Sequence, residues 1–516
     1  MKIFENNRVE FVSNFLFYMC IIGLLFVGVY SRVKFYLLDL PFWLDEITLS
    51  LSFFDRDFWG MFTQLEGNQK TPPLFCAFVW IIKTLCGEAS TLPLRFISLF
   101  TGVSSIVAFF FLLKDFLKSR IAIIVGMSLF VLNVPLLYYS QEFKPYSSDV
   151  LSCILLIFLY KRFSIKNDSV LKTIVLSTVL GCFFLFSFPC MFIIPAMFLL
   201  KVLEERCFNK NLFIVPIGFF LSTLYLYFLY RQIYSFEIYE AEWQVGFLTF
   251  SFDSFWAMVQ DFVWFLMFGC SEYNICILFL LFVWGLFLLC YSKKKEAYLI
   301  LLIILFAVIA SFLKIYPLKA RMILYFIPFL FLAFSKVIDY MMKERRIESF
   351  VSAIIMSFFI FYNMHFNPIS FYFLDMEKYN MRTPIEERYA VKETCTKMLD
   401  KMSEEDILFS LSLYHNYAQY YSYLNKGKII FSYVQLEDAV NDSNIGSIIL
   451  KFNEILQQEQ GNSKKIYVVF AKENCKINGE TSLQVLETFE KQINFGKYSF
   501  EKSENDKYVM YKFCCE

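Results

Sequence analysis

The sequence is poor in charge and in histidine, and each scarcity excludes a class of protein. Charged residues make up 18% of the 516 residues, whereas a soluble domain usually carries about 25%. The two histidines, His365 and His415, are too few for a histidine-based metal site. A net charge of +1 gives no basic surface of the kind that binds nucleic acid. These scarcities exclude a disordered chain, an ordinary cytosolic enzyme and a nucleic-acid-binding protein.

Apolar and aromatic residues are what the chain has in excess. Hydrophobic residues make up 58% of it and aromatic residues 20%, including 66 Phe, and the mean hydropathy is +0.52. None of the 14 cysteines forms a CxxC pair, so we interpret those in apolar runs as small hydrophobic residues rather than zinc ligands. This composition predicts a polytopic membrane protein.

The charge is distributed unevenly between two parts of the chain. Residues 375–516 contain 40 charged residues in 142 positions, whereas 1–374 contain 55 in 374. The front part carries a net charge of +5 and the tail −4. We therefore predict a membrane module over 1–366 and a soluble domain over 375–516.

Apolar runs of roughly 20 residues each predict about eleven transmembrane helices. They lie at 11–30, 92–113, 121–139, 147–161, 170–188, 189–203, 211–230, 262–291, 298–315, 321–341 and 349–365. Lys and Arg concentrate in every second connecting loop, which the positive-inside rule places in the cytoplasm. The N-terminus is then cytoplasmic, and 31–91, 231–261 and the tail lie on the outer face.

The outer parts have recognisable local patterns. Aromatic residues between short apolar stretches predict interfacial helices in 31–91 and 231–261. Alternating patterns in the tail predict a small α/β domain. Its predicted strands are 406–410, 428–431, 465–470 and 508–513, and its predicted helices are 386–402, 414–424 and 483–495.

The first two outer segments carry candidate chemistry. Asp45 and Glu46 follow the first span, where adjacent acids serve as a general base or as metal ligands; solvated loop acids are the alternative. Lys70 precedes the rigid pair Pro72-Pro73 and could bind a phosphate. The alternative is a loop lysine without a binding role, ahead of an interfacial helix.

Three further segments add cations and aromatic residues on the same face. Arg95 opens the second span, where it binds an anion or simply reaches the headgroups. Glu142, Lys144 and Tyr146 share one short turn, which is also compatible with an ion pair in an aromatic belt. Arg321 breaks the positive-inside pattern, which binding of an anionic group would explain. Together these residues predict a site for an amphipathic anion at the outer membrane surface.

The order of these motifs resembles that of membrane glycosyltransferases with the GT-C fold, over residues 1–340. The nearest are the family 39 type, which includes protein O-mannosyltransferases and the bacterial aminoarabinose–lipid A transferase. The resemblance rests on Asp45-Glu46, Lys70-Thr71-Pro72-Pro73-Leu74-Phe75, Leu94-Arg95-Phe96-Ile97-Ser98, Ser140-Gln141-Glu142-Phe143-Lys144-Pro145-Tyr146, and Tyr316 to Arg321 followed by Ile327-Pro328.

The resemblance implies a fold, a reaction and a set of site residues. The implied fold is a GT-C bundle of about eleven transmembrane helices with a C-terminal soluble α/β domain. The implied reaction transfers a sugar from a polyprenyl-monophosphate donor to an extracytoplasmic lipid A, polysaccharide, glycan or protein, with inversion. Asp45 and Glu46 match the catalytic acids. The matches to donor-phosphate or substrate-binding positions are Lys70, Arg95, Glu142, Lys144, Tyr146 and Arg321.

One departure from the resemblance concerns metals. The lipid A transferases have an acid before the lysine, where this chain has Gln69, and the middle outer loops lack a histidine. We therefore expect no required cofactor and no metal site, and a divalent metal is disfavoured. The expected location is a bacterial inner membrane.

Three other functions remain open at this point. An O-antigen polymerase or ligase also acts on lipid-linked sugar, but it would place its key residues in a late outer loop. A lipid or glycan transporter should show internal repeats or mid-span charges. A membrane scaffold would bind envelope partners through its tail. Neither the sugar nor the acceptor follows from the sequence.

Overall fold

We describe the protein from a computed structural model. It covers residues 2–54, 56–87, 91–206, 208–231, 246–267, 272–292, 294–344, 347–363 and 385–400, and shorter segments within 402–514. Those segments are 402–403, 406–410, 417–422, 432–435, 452, 454, 465–471, 476–477, 480–481, 499–504 and 508–514.

Helices account for nearly all of the described residues before 400. Those up to residue 230 are α1 (Lys2–Tyr36), α2 (Leu44–Leu51), α3 (Pro73–Cys86), α4 (Leu92–Phe116), α5 (Arg120–Leu132), α6 (Val134–Tyr139), α7 (Tyr146–Arg162), α8 (Val170–Phe186), α9 (Cys190–Glu205), α10 (Lys210–Ile214) and α11 (Ile217–Tyr230). The later ones are Phe252–Met267, Glu272–Tyr291, Lys295–Phe312, Ile327–Met341, Ile347–Asn363 and Ile385–Leu399. Short 3-10 helices cover Trp59–Phe62, Glu66–Asn68, Ala320–Phe326 and Met342–Glu344.

Six of these helical segments are long and apolar enough to cross a membrane, and the chain is a multi-pass membrane protein. They are Phe11–Tyr36, Leu92–Phe116, Lys210–Tyr230, Asn274–Tyr291, Lys295–Phe312 and Arg321–Met341. Further apolar helices are shorter, and four of them are Pro73–Cys86, Arg120–Leu132, Val170–Phe186 and Ile347–Tyr362.

The structure corrects the sequence prediction in two of the spans. The predicted span 262–291 joins parts of two helices, Phe252–Met267 and Glu272–Tyr291. The predicted span 121–139 is broken at Asn133, whose side chain caps α6 by accepting from the Leu136 amide at 3.1 Å. Pro135 follows within the first turn of α6, where its missing N–H costs nothing. Hydropathy alone does not detect either break.

The two ends of the bundle differ in the polar residues that they carry. At one end the Lys161 ammonium lies 2.6 Å from Asp115, and Asp339 accepts from the backbone amides of Lys118 and Ser119 at 2.8 and 2.7 Å. This end holds the lysine-rich loops that the sequence assigns to the cytoplasm. The opposite end carries the five candidate segments.

The C-terminal part contains a mixed five-stranded sheet in the order β2-β1-β3-β7-β6. The strands are β1 (Ile407–Ser410), β2 (Ser432–Gln435), β3 (Lys465–Ala471), β6 (Ser499–Glu504) and β7 (Tyr508–Cys514), and a separate hairpin is formed by β4 (Lys476–Ile477) and β5 (Glu480–Thr481). β1 pairs in parallel with β2 and β3, and β7 is antiparallel to β3 and β6.

Most predicted elements of the tail are present where they can be checked. The helix over 386–402 and the strands over 406–410, 465–470 and 508–513 are confirmed to within a few residues. Residues 417–422 are helical, within the helix predicted for 414–424. The strand 428–431 and the helix 483–495 lie outside the described residues, as do 232–245 of the second outer loop. Strands β4, β5 and β6 were not predicted, and β2 lies directly after the strand predicted for 428–431.

The tail packs directly on the first outer segment. One hydrophobic core combines residues of α2 and α3 with residues of the sheet and of the helix Ile385–Leu399. In it the Phe42 and Tyr420 rings stack with centroids 5.3 Å apart. The Arg388 guanidinium donates to the Tyr138 hydroxyl at 3.1 Å. The tail therefore lies at the end of the bundle that holds the candidate residues.

Candidate active site

A short connection joins α1 to α2, and α2 carries two acids in its first turn. Asp45 and Glu46 are the second and third residues of this eight-residue helix. Carboxylates are favoured there because the helix N-terminus carries a partial positive charge. Consecutive residues on a helix point about 100° apart, so the two carboxylates face different surroundings.

Glu46 faces the protein interior and is fully buried. Arg95 holds it as a fork, with Nε 2.9 Å from Oε1 and Nη2 2.8 Å from Oε2. The backbone amide of Phe143 donates to Oε1 at 2.7 Å and that of Trp43 to Oε2 at 3.4 Å. A carboxylate has about four acceptor positions, so protein donors occupy all of them. We call Glu46 and Arg95 the closed pair.

The closed pair joins three of the candidate segments. Glu46 belongs to α2, Arg95 opens α4, and Phe143 lies in the turn between α6 and α7. Arg95 also donates through Nη1 to the Leu40 carbonyl at 2.6 Å. Its guanidinium lies 4.4 Å from the centroid of the Phe42 ring. These contacts of Glu46 and Arg95 are all to protein groups, and they join the three segments. The substrate roles predicted for the two residues remain predictions.

Asp45 is less buried than Glu46, and its side chain is 25% exposed. Its Oδ2 lies 3.1 Å from Nη2 of Arg321, whose side chain is 21% exposed. The Arg321 guanidinium also lies 5.7 Å from the Trp43 ring centroid and 5.8 Å from that of Tyr146. Asp45 and Arg321 are 276 residues apart in the chain. We call them the open pair.

Glu142 and Trp43 connect the turn after α6 to the open pair. The Trp43 indole N–H donates to Glu142 Oε1 at 2.7 Å, and both side chains are buried. Because the same indole ring lies beside Arg321, this hydrogen bond fixes one wall of the open pair. The predicted substrate-binding role of Glu142 remains a prediction.

Lys70 and Lys144 add positive charge nearby. The Lys144 ammonium donates to Gln69 Oε1 at 2.8 Å and is 5% exposed, so it fixes the residue next to Lys70. Lys70 is half-buried, and burial lowers the pKa of its ammonium below that of an exposed lysine. Tyr230 holds Thr71, the residue after Lys70, because its hydroxyl donates to the Thr71 carbonyl at 2.7 Å.

The structure thus brings all eight predicted site residues to one end of the bundle. Three participants were not predicted from the sequence: Trp43, Gln69 as a partner of Lys144, and Arg388 from the tail. Trp43 carried a signal, because only Leu44 separates it from the two acids. The pairing of Gln69 and the position of Arg388 depend on tertiary contacts that no local pattern encodes.

The metal prediction remains a prediction. Within the described residues, no group of three His, Cys, Asp or Glu side chains is arranged to hold a metal ion. The amide oxygen of Gln69 already accepts from a lysine ammonium, and a neighbouring cation disfavours a second cation there.

Comparisons with known proteins establish the fold. The sequence matches no protein-family model and no curated protein. ArnT from Cupriavidus metallidurans bound to undecaprenyl phosphate is similar in structure, with a TM-score of 0.54, 10% identity, and coverage of 97% of this chain and 98% of that one. Its apo state gives a TM-score of 0.51, 9% identity and 98% coverage of both chains.

The oligosaccharyltransferase of Archaeoglobus fulgidus, tethered with an acceptor peptide, is also similar. Its TM-score is 0.51 at 12% identity, over 87% of this chain and 69% of that one. Identities this low carry information on the fold alone. The chain therefore has the GT-C fold of these membrane enzymes, as the sequence predicts.

Proposed function

We propose that this protein is a membrane glycosyltransferase. It transfers a sugar from a polyprenyl-monophosphate donor to an acceptor on the extracytoplasmic side of the membrane. The observation that carries the proposal is the open pair: a partly exposed carboxylate held by an arginine, at the end of a GT-C bundle that also bears Lys70.

The fold and two neighbours support the class of substrate. ArnT has been solved with undecaprenyl phosphate, and the archaeal oligosaccharyltransferase with an acceptor peptide. A polyprenyl-phosphate sugar has one apolar tail and one compact anionic group. The bundle has an exposed apolar surface on which the polyprenyl chain can lie. Its outer end carries cations that can bind the phosphate.

In the proposed reaction Asp45 acts as the general base. Its carboxylate accepts the proton of the acceptor hydroxyl while that oxygen attacks the anomeric carbon. The bond between the anomeric carbon and the phosphate oxygen breaks on the opposite face, which inverts the configuration. The polyprenyl phosphate leaves with the bonding electron pair. Proton transfer by a placed side chain is worth about 10²–10⁴-fold in rate.

The leaving phosphate needs cations at the moment its charge increases. Arg321 presents a planar fork that can hold a carboxylate oxygen and a phosphate oxygen together. Lys70 adds a point charge, and the buried Lys144 raises the local positive potential. Charged donors fixed before the reaction stabilise developing charge effectively because they need little reorganisation.

The closed pair has a different part in the proposal. Glu46, Arg95 and Glu142 hold α2 and Trp43 against the turn before α7, so that Asp45 and Arg321 keep their separation. Tyr146 closes the other side of Arg321. We propose positioning roles for these four residues and catalytic or binding roles for Asp45, Arg321 and Lys70.

The experiment compares envelope material from cells that produce the wild-type protein with material from cells that produce Asp45→Asn. Mass spectrometry of glycolipids and glycans should show a glycosylated product only with the wild type. The matched control is Asp57→Asn, since Asp57 in the same outer segment only caps the backbone amide of Gly60, at 2.8 Å. The control should give wild-type amounts of product. Normal product with folded Asp45→Asn would exclude Asp45 as the base.

The predicted orientation follows from the charge pattern, and the predicted bacterial inner membrane follows from the family resemblance. The lysine-rich end is expected in the cytoplasm, which puts the open pair and the tail on the opposite side of the membrane. Accessibility of single cysteines introduced at exposed Trp59 and at exposed Lys295 tests this orientation. Labelling of intact spheroplasts should reach position 59 and not position 295.

A further inference from the structure

A second polar cluster lies inside the bundle, one helical turn below the open pair. Asp149 is three residues after Tyr146 on α7, so it lies about 4.5 Å deeper along the helix axis at ~1.5 Å per residue. It is 7% exposed. Its Oδ1 accepts from the hydroxyl of the fully buried Ser187 at 2.7 Å. Ser187 lies in the break between α8 and α9.

Asp149 has no cationic partner within the described part of the chain. An acid inside a membrane bundle is costly, and such residues usually serve a substrate or ion pathway. A single serine hydroxyl leaves acceptor positions of the carboxylate for another donor. The environment therefore suits a ligand that brings hydrogen-bonding groups.

Tyr325 provides an independent observation at the same place. It is 1% exposed, and its hydroxyl makes no hydrogen bond to any described residue. It lies within electrostatic range of Asp149 and belongs to the same short helix, Ala320–Phe326, as Arg321. A buried hydroxyl without a partner costs about 1–3 kcal/mol, so its retention needs an explanation.

The surroundings of Tyr325 narrow the chemical class of the ligand. The Phe192 ring lies 6.2 Å from that of Tyr325 and 5.1 Å from that of Tyr316. An acid, a serine hydroxyl and a phenol beside aromatic rings suit a group with several hydroxyls and an apolar face.

We propose that Asp149 and Tyr325, with Ser187, form the subsite for the sugar of the lipid-linked donor. The inference rests on the proposed function. With the phosphate held at Arg321 and Lys70, the attached sugar points into the bundle, where its hydroxyls donate to Asp149 and exchange hydrogen bonds with Tyr325. Asp149 and Tyr325 thereby select the sugar.

The test uses the full-length protein in lipid nanodiscs and two kinds of probe. One is undecaprenyl phosphate alone. The other is a panel of undecaprenyl phosphates that carry glucose, mannose or arabinose. The readout is the ratio of the affinities for each sugar-bearing lipid and for the bare lipid, together with the unfolding temperature.

The wild type should bind at least one sugar-bearing lipid more tightly than the bare lipid. Asp149→Asn and Tyr325→Phe should each reduce that preference about tenfold, which corresponds to about 1.4 kcal/mol, the order of one hydrogen bond. Affinity for the bare lipid should not change. Tyr325→Phe removes a hydroxyl without a described partner, so it should not lower the unfolding temperature. Tyr340→Phe, half exposed on the following helix Ile327–Met341, is the matched control and should leave both affinities unchanged.

The other outcomes overturn the subsite. A preference that persists in both variants, or an equal loss of affinity for both kinds of lipid, excludes sugar recognition by these residues. A wild type that binds bare lipid without preferring any sugar excludes the subsite but not the proposed function. A wild type that binds none of the probes contradicts the polyprenyl-phosphate donor itself, and the two failures are therefore distinguishable.

Discussion

The closed pair and the open pair are adjacent in the sequence, yet they occupy opposite environments. Glu46 is fully buried, with two arginine nitrogens and two backbone amides on its oxygens. Asp45 is a quarter exposed and has one identified arginine contact, Arg321, at 3.1 Å. In the proposed function, burial and saturation make the first carboxylate a structural joint, whereas exposure leaves the second within reach of a substrate. Two acids that form one motif in the sequence would then divide stability and chemistry between them.

Breaking the closed pair should have the largest effect on stability. Glu46→Ala leaves the buried Arg95 charge uncompensated, which costs about 3–5 kcal/mol. Chemical unfolding of the purified protein in detergent measures this loss. Replacing both partners, as Glu46→Leu with Arg95→Met, should cost less than Glu46→Ala, because no charge is then left buried.

The exposed pair Arg56–Glu66 in the same outer segment is the control for that comparison. Glu66 is 56% exposed, so Glu66→Ala should cost no more than about 1 kcal/mol. Equal losses of unfolding free energy for Glu66→Ala and Glu46→Ala would show that the closed pair stabilises the fold no more than an exposed ion pair does.

Breaking the open pair should have the opposite signature. Arg321→Gln should lower sugar transfer by about 10²-fold, as removal of one donor from a charge-stabilising site does. It should lower the free energy of unfolding by less than about 1 kcal/mol, since the pair is partly exposed. Turnover and chemical unfolding of one preparation measure both quantities. Strong destabilisation with unchanged transfer would reverse the two assignments.

A smaller effect is expected from Lys70 as the pH is raised. Because burial lowers the pKa of Lys70, its ammonium deprotonates at a lower pH than an exposed lysine. Affinity for undecaprenyl phosphate should be complete below that pKa and fall as the pH rises through it. Lys70→Arg should abolish the fall, because arginine stays protonated throughout. Titrations of lipid binding from about pH 7 to about pH 10 test this, and identical pH profiles for the two proteins would exclude Lys70 as the titrating group.

The same shift acts on stability with the opposite sign. In the window between the lowered folded pKa and the unfolded value, the unfolded chain binds more protons than the folded one. Stability therefore rises with pH across this window while affinity for the phosphate falls. Parallel loss of both would point to general alkaline unfolding instead.

Local patterns were sufficient to predict the bundle and much of the tail. Long apolar runs predicted the positions of α4 and α7, and buried apolar runs predicted β3 and β7. They failed where a helix ends inside an apolar stretch, because a cap such as Asn133 leaves the hydropathy almost unchanged. They also missed β6, whose segment Ser499–Glu504 carries three charged residues and resembles a loop.

The candidate site shows a similar boundary between what a sequence encodes locally and what it does not. Asp45, Lys70 and Arg321 could be predicted because charge is scarce in the membrane module. Asp45 also lies beside a second acid, Lys70 precedes a proline pair, and Arg321 breaks the positive-inside pattern. Nothing in the motif Trp43-Leu44-Asp45-Glu46 distinguishes the two acids. Their difference arises from Arg95, 49 residues from Glu46, and from Arg321, 276 residues from Asp45. Such separations are set by the packing of distant helices.

The most direct test of the division between the two pairs is the transfer rate of purified, folded Asp45→Asn with the donor identified from cells. The rate should be lower by about 10²–10⁴-fold, with an unfolding temperature within about 2 °C of the wild type. A rate near that of the wild type would show that Asp45 is not the general base.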